Sequence, residues 1–146
     1  MILYYAENLY NVRKEKIMSM YPRFGIALGI SGGNKNIIEA CEMYQKAFNA
    51  IKTGEGTPPD SDDLHITIEI NGFQILLGPG DKVEKVLESV ICCEVHFDNE
   101  NDLRKAYNVL IKDSMYNSID GPFEWATLLG VVTDKFGVRW ALYFNK

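Results

Sequence analysis

The chain has 146 residues, 47% of them hydrophobic, and a formal net charge of −5. That length suits one domain or two small modules sharing a core. The negative balance argues against nucleic acid or an anionic membrane as main partner, since both need a basic patch.

No apolar run approaches the roughly eighteen residues of a spanning helix, so no membrane partner is expected. Three cysteines, Cys41, Cys92 and Cys93, cannot all pair, and none sits in a C-x-x-C spacing. They read as reduced thiols in a cytoplasmic protein.

Residues 1–22 lack a clean period and are set off by Tyr21-Pro22. Glu7 and Asn8 fall where a secretory signal would need its apolar core. Met18 and Met20 are candidate starts, and Lys14-Glu15 fits a purine-rich ribosome-binding sequence just upstream of Met18. The expectation is translation from Met18 or Met20, against a genuine N-terminal extension, with the domain proper at 23–146.

Phe24, Ile26, Leu28 and Ile30 alternate with small residues and predict a first strand. Asn36 followed by Glu39 reads as a helix cap with its reciprocal carboxylate. Ile37, Cys41, Tyr44 and Phe48 then recur on one helical face. The Gly-, Pro- and Asp-rich stretch 53–63 reads as a loop. Residues 65–70 alternate without error, Asn71-Gly72 is the preferred pair for a type I′ turn, and 73–77 returns. A charged linker occupies 81–89.

The pattern then restarts. Residues 91–97 read as a strand, and Asn99 caps a helix whose apolar stripe is Leu103, Ala106, Tyr107 and Leu110. Residues 114–120 read as loop or short strand. Residues 128–133 and 138–144 form a last hairpin around Asp134-Lys135-Phe136-Gly137, where Asp can bond the backbone ahead and Gly can take a positive φ. Strand, helix, strands thus occurs twice, and 23–80 and 90–146 read as two copies of one βαβββ module.

Period two sorts the strand residues by face. Ile66, Ile68 and Ile70 belong to the core, while His65, Thr67 and Glu69 face away, with Gln74 and Leu76 on that second face. Ile91, Cys93, Val95 and Phe97 are core, and Cys92, Glu94 and His96 are not. Arg139, Ala141 and Tyr143 oppose the apolar set of the last strand. Both histidines therefore fall on the face opposite the core. A polar strand face is ordinarily just solvated, and Trp125 reads equally as core or as the wall of a site. Cys92 reads as a small side chain and not a nucleophile, because no cation beside it is identifiable to lower its pKa.

Trp125, Gly130, Val132, Thr133, Asp134, Phe136, Gly137 and Trp140 stand in an order that resembles the closing hairpin of the vicinal oxygen chelate superfamily (glyoxalase, bleomycin resistance and dioxygenase proteins), specifically its PhnB-like branch. The resemblance covers roughly residues 23–145. It implies an α+β fold in which two βαβββ modules form a curved sheet with helices outside and a ligand cavity on the concave face. That superfamily hosts isomerases, dioxygenases, resistance proteins and plain binders, so fold alone does not name the activity.

Metal-dependent members place a His or Gln on the first strand, a carboxylate on the fourth, a His on the fifth and a Glu on the eighth. Those positions here hold Gly25 or Ala27, Leu76, Cys92 and Ala141, so the quartet is missing. No Gly-rich nucleotide loop supports the methyltransferase label sometimes attached to PhnB-like chains. The expectation is a metal-free homodimer binding a small organic molecule without a cofactor. Trp125 and Tyr143 would form a flat wall, Arg139 an anion contact and Glu69 or Glu94 a cation contact, with His65, Gln74, Cys92 and His96 on the same face. The rival is a lyase, isomerase or dioxygenase holding a divalent metal at a displaced site of His65, Glu69, Glu94 and His96. A third reading is a structural partner for another protein.

Overall fold

A computed structural model describes residues 25–82 and 91–146. The expected translation start, the 1–22 extension, Phe24 and most of the charged linker lie outside the described residues. Those described group into two compact units, 25–45 with Asn49–Asp81, and Lys46–Phe48 with 91–146.

In the first unit, β1 (Ile26–Ile30) leads to α1 (Asn34–Phe48), then β2 (Ile51–Gly56), β3 (His65–Ile70) and β4 (Phe73–Pro79). The sheet order is β1-β4-β3-β2, with β1 parallel to β4 and the other pairs antiparallel. In the second unit, β5 (Cys93–Phe97), α2 (Glu100–Leu110), β6 (Tyr116–Asp120), β7 (Leu128–Thr133) and β8 (Arg139–Phe144) repeat that topology as β5-β8-β7-β6. The fold is α+β, and each unit is one βαβββ module.

The apolar alternation buries Leu28, Ile30, Ile66, Ile68, Ile70, Ile75 and Leu77 in the first unit. α1 buries Ile37, Cys41, Tyr44 and Phe48 as its spacing predicts. Phe48 groups with the second unit, where its ring centroid lies 4.7 Å from that of Trp140. α2 lies against β5, β7 and β8 and buries Leu103, Ala106, Tyr107 and Leu110. Gly130 makes room for this packing, since a Cβ there would meet the Tyr107 ring at 3.0 Å.

Both hairpin turns form as their residues require. Asn71 and Gly72 take φ of 49° and 81°, the two positive values of a type I′ turn. At the second turn, one carboxylate oxygen of Asp134 accepts from the backbone N–H of Phe136 at 2.9 Å and of Val138 at 3.0 Å. Its other oxygen accepts from the indole N–H of Trp140 at 3.0 Å. Gly137 takes φ of 86° and donates its N–H to the Asp134 carbonyl.

Three expectations are corrected. The stretch 53–63 is not all loop, because β2 runs to Gly56. It is an edge strand, exposed on both faces and bulged between Lys52 and Gly54, so no burial imposes an apolar alternation on it. The first helix begins at Asn34 behind Gly33, with no side-chain cap, and Asn36 instead donates to the Ser31 carbonyl at 2.9 Å. Asn34 spends its amide on the loop, donating to the Asp62 carbonyl and accepting from the Leu64 N–H, each at 2.8 Å. Ile91 is 64% exposed and not core, because β5 pairs with β8 only from Cys93 onward; Cys93 and Phe97, at the ends of β5, are half-buried. The Asn99 cap stands as expected, accepting from the Asp102 N–H at 2.9 Å.

Two substitutions test this frame. Asp134→Ala strands three donors at the turn and lowers unfolding free energy by about 3 kcal/mol or more, read by urea denaturation. Gly80→Ala places a Cβ 2.4 Å from the Gly29 backbone, where the Gly80 N–H meets the Ile30 carbonyl. A drop of about 1–3 kcal/mol is expected from that overpacking.

Candidate functional site

Strand register lays out the face of the second sheet opposite its core as three rows. Arg139 pairs with Thr133 and Thr133 with Tyr116, and Cys92 precedes β5 beside Arg139. The middle row runs Glu94, Ala141, Val131, Ser118, and the last runs His96, Tyr143, Leu129, Asp120. Trp140, Leu142, Val95 and Val132 point the other way and are buried.

Beyond the last row the 121–127 loop brings two more rings. The Phe123 N–H donates to the Ala126 carbonyl at 2.8 Å, and the loop base is tied to the C-terminal residues. There Thr127 N–H reaches Asn145 Oδ1 at 3.2 Å, and Lys146 N–H reaches Thr127 Oγ1 at 3.0 Å. Phe123 and Trp125 stack at 5.0 Å, with planes 4° apart. Trp125 meets Tyr143 at 6.2 Å and a tilt of 58°, and Tyr143 stacks on His96 at 4.8 Å and 11°. The result is a string of four rings, of which Trp125 remains 57% exposed and Phe123 41%. Trp125 is therefore exposed and not core. Phe123 was not singled out in the sequence; an aromatic pair two residues apart after Gly121-Pro122 was its signal.

Charge on this face is placed unevenly. Glu94 Oε2 lies 3.7 Å from His96 Nε2. Burial pushes the Tyr143 hydroxyl up, and Glu94, which accepts its hydrogen bond, pushes it further. Cys92 does have a cation beside it, Arg139, which the sequence did not reveal. Partial burial of the sulfur nonetheless outweighs that guanidinium and raises the thiol, with Glu94 adding to the rise. Burial carries Cys93 to about 11.

The first sheet carries the other expected residues. Glu69 pairs with Gln74, and the Gln74 amide donates to Thr53 Oγ1 at 3.3 Å. Thr53 in turn bonds Thr67 Oγ1 at 3.0 Å, and Thr67 is 1% exposed although it stands on the face opposite the core. His65 lies across Gly78, with Nδ1 3.1 Å from the Asp63 carbonyl. His65 and Glu69 are four residues apart on β3, about 13 Å, so they do not converge on one ion. Within the second unit, Glu94 Oε2 and His96 Nε2 are neighbours. Among the described residues no three His, Cys, Asp or Glu side chains could hold a metal. At the positions the resemblance marks for ligands, Ala27 pairs with Leu76 and Ala141 with Glu94. Ala27, Leu76 and Ala141 carry no donor, so that set does not fit a divalent cation.

The same arrangement of strands and helices recurs in solved structures. The PhnB protein from Bacillus cereus matches with a TM-score of 0.61 at 18% identity, over 85% of this chain and 100% of that one. The fosfomycin resistance protein FosX from Listeria monocytogenes, complexed with Mn(II) and sulfate, matches with a TM-score of 0.62 at 12% identity, over 86% and 90%. The chain has the vicinal oxygen chelate fold. An uncharacterised protein of Mycobacterium bovis, Mb0911c, is 26% identical over 113 residues, covering 70% of this chain and 72% of that protein. No family model matches. Among the described residues, Phe123 and Trp125 beside this face and Tyr116 on it are three of the four exposed large aromatics, with Phe73 on the other sheet.

The raised thiols set a reactivity. Cys92 is accessible yet protonated at neutral pH, so iodoacetamide should modify it more slowly than free cysteine at pH 7.5. The rate should climb as pH rises past 9, and Arg139→Ala should slow it further, because the one group lowering the thiol pKa is gone. Alkylation at pH 7.5 faster than free cysteine would contradict this assignment.

Proposed function

We propose that the open face of the second sheet binds a small, flat organic cation without a metal. The observation that carries this is the exposed ring string Phe123, Trp125, Tyr143, His96 beside the Glu94 carboxylate. Leaving two large rings in water forgoes burial worth about 1.5–3 kcal/mol each, which a ligand recovers. Ring faces attract cations, and Glu94 supplies the counter-charge within the same row as Ala141, whose methyl leaves the centre of the face low. The reading takes the chain to act as a homodimer in the cytoplasm. The free thiols Cys41, Cys92 and Cys93 agree with a reducing compartment. His65, Glu69 and Gln74 stand on the other unit's sheet and have no assigned part in this face.

The test is titration with rhodamine 123, a planar xanthene cation, read by dye polarisation and by quenching of exposed Trp125 against buried Trp140. Trp125→Ala and Glu94→Gln should each weaken binding about 5- to 30-fold. Their melting temperatures should stay near wild type, because both side chains are exposed. Elemental mass spectrometry on untagged protein provides the contrary arm. One tightly held Zn, Ni, Mn or Fe per chain, lost in His96→Ala, would replace this reading with the metal-dependent one.

A further inference from the structure

The row of the second sheet farthest from the aromatic string holds two polar groups that the cation reading does not use. Arg139 is half-buried on β8, and among the described residues no carboxylate forms an ion pair with it. Thr133, its neighbour across the strand pair, is 2% exposed, and among the described residues its hydroxyl has no hydrogen-bond partner. A buried hydroxyl in that state has lost its hydration without compensation.

Arg139 shares a hydrogen bond with the Cys92 side chain, but no anion in the row meets its charge. The Met115 N–H goes to the Thr133 carbonyl, at 2.8 Å, and not to its hydroxyl. Cys92, beside Arg139, is a protonated thiol at neutral pH. The carboxylate one row away, Glu94, is engaged by His96 and Tyr143. Arg139 thus stands at one end of the face with no carboxylate paired to it among the described residues, and Glu94 stands one row away. Arg139 and Tyr143 are four residues apart on β8, about 13 Å. Between them on this face β8 presents only the methyl of Ala141.

We infer that the Arg139 row seats an oxyanion, held by the guanidinium and the Thr133 hydroxyl. The molecule bound on this face is then a zwitterion lying along β8. Its flat cationic part rests against Tyr143 and Trp125, and its carboxylate or phosphate rests on Arg139. This rests on the reading of the face as a binding surface and adds the class of ligand. A guanidinium is suited to the task because it meets two oxyanion oxygens at once.

Two dyes that differ in a single group test it. Rhodamine 123 is the methyl ester of rhodamine 110, so the two share the xanthene cation and only the second has a free carboxylate. Wild-type protein should bind rhodamine 110 about 10- to 100-fold tighter than rhodamine 123. Arg139→Gln should bring the two affinities within about threefold, leaving that for rhodamine 123 unchanged. Thr133→Val should reduce the preference about fivefold. Its melting temperature should equal or exceed wild type, because a methyl replaces the unpartnered hydroxyl. A purely structural Thr133 would instead lose stability and weaken both dyes alike. Equal wild-type affinity for the two dyes, or a preference that survives Arg139→Gln, overturns the zwitterion inference while the cation reading stands. Binding of neither dye overturns both.

Discussion

The carboxylate of Asp134 governs the second sheet. Its two oxygens collect three donors, the N–H groups of Phe136 and Val138 and the indole N–H of Trp140. The first two close the turn between β7 and β8. The third reaches into the next strand and ties the largest buried side chain of the unit to that turn. A hairpin register can slip by one residue, and such a slip moves every side chain to the opposite face. The Asp134–Trp140 bond opposes that slip, because Trp140 can reach the carboxylate only in one register. That register sets the functional face. With Trp140 and Leu142 turned inward, Arg139, Ala141 and Tyr143 are turned outward, and β5 aligns Glu94 and His96 beside them.

The two units repeat one topology and use their outer faces differently. In the first, small polar side chains satisfy one another, Gln74 to Thr53 to Thr67, and His65 lies beside Gly78. In the second, Phe123 and Trp125 remain exposed, and Arg139 and Glu94 stand in adjacent rows. Repetition of βαβββ explains the backbone, and the outward residues account for the divergence. The solved relatives share that backbone at 18% and 12% identity. Core positions tolerate any apolar side chain of suitable volume, so a fold persists long after the site on it has changed.

Much of the architecture was legible in the residue order, for identifiable reasons. Error-free alternation at 65–70, the Asn71-Gly72 pair and the stripe from Leu103 to Leu110 each report a burial that only one local conformation satisfies. β2 escaped notice because an edge strand exposed on both faces needs no alternation. The Asn36 cap was misplaced because Asn34 and Asn36 are equally suited to the role locally, and the distant carbonyl of Asp62 and N–H of Leu64 claim the first of them.

Residue order was enough to specify the module repeat, the closing turn and which strand residues share a face, since period and turn chemistry are local properties. Only the assembled sheets show that Phe123 and Trp125 continue the Tyr143–His96 stack, that Arg139 stands beside Cys92, and that His65 and Glu69 stay apart. Assembly also left the Thr133 hydroxyl buried without a partner among the described residues. Each of these depends on which strands become neighbours and how a loop is tethered, and such pairings join residues far apart along the chain, where no periodicity records them.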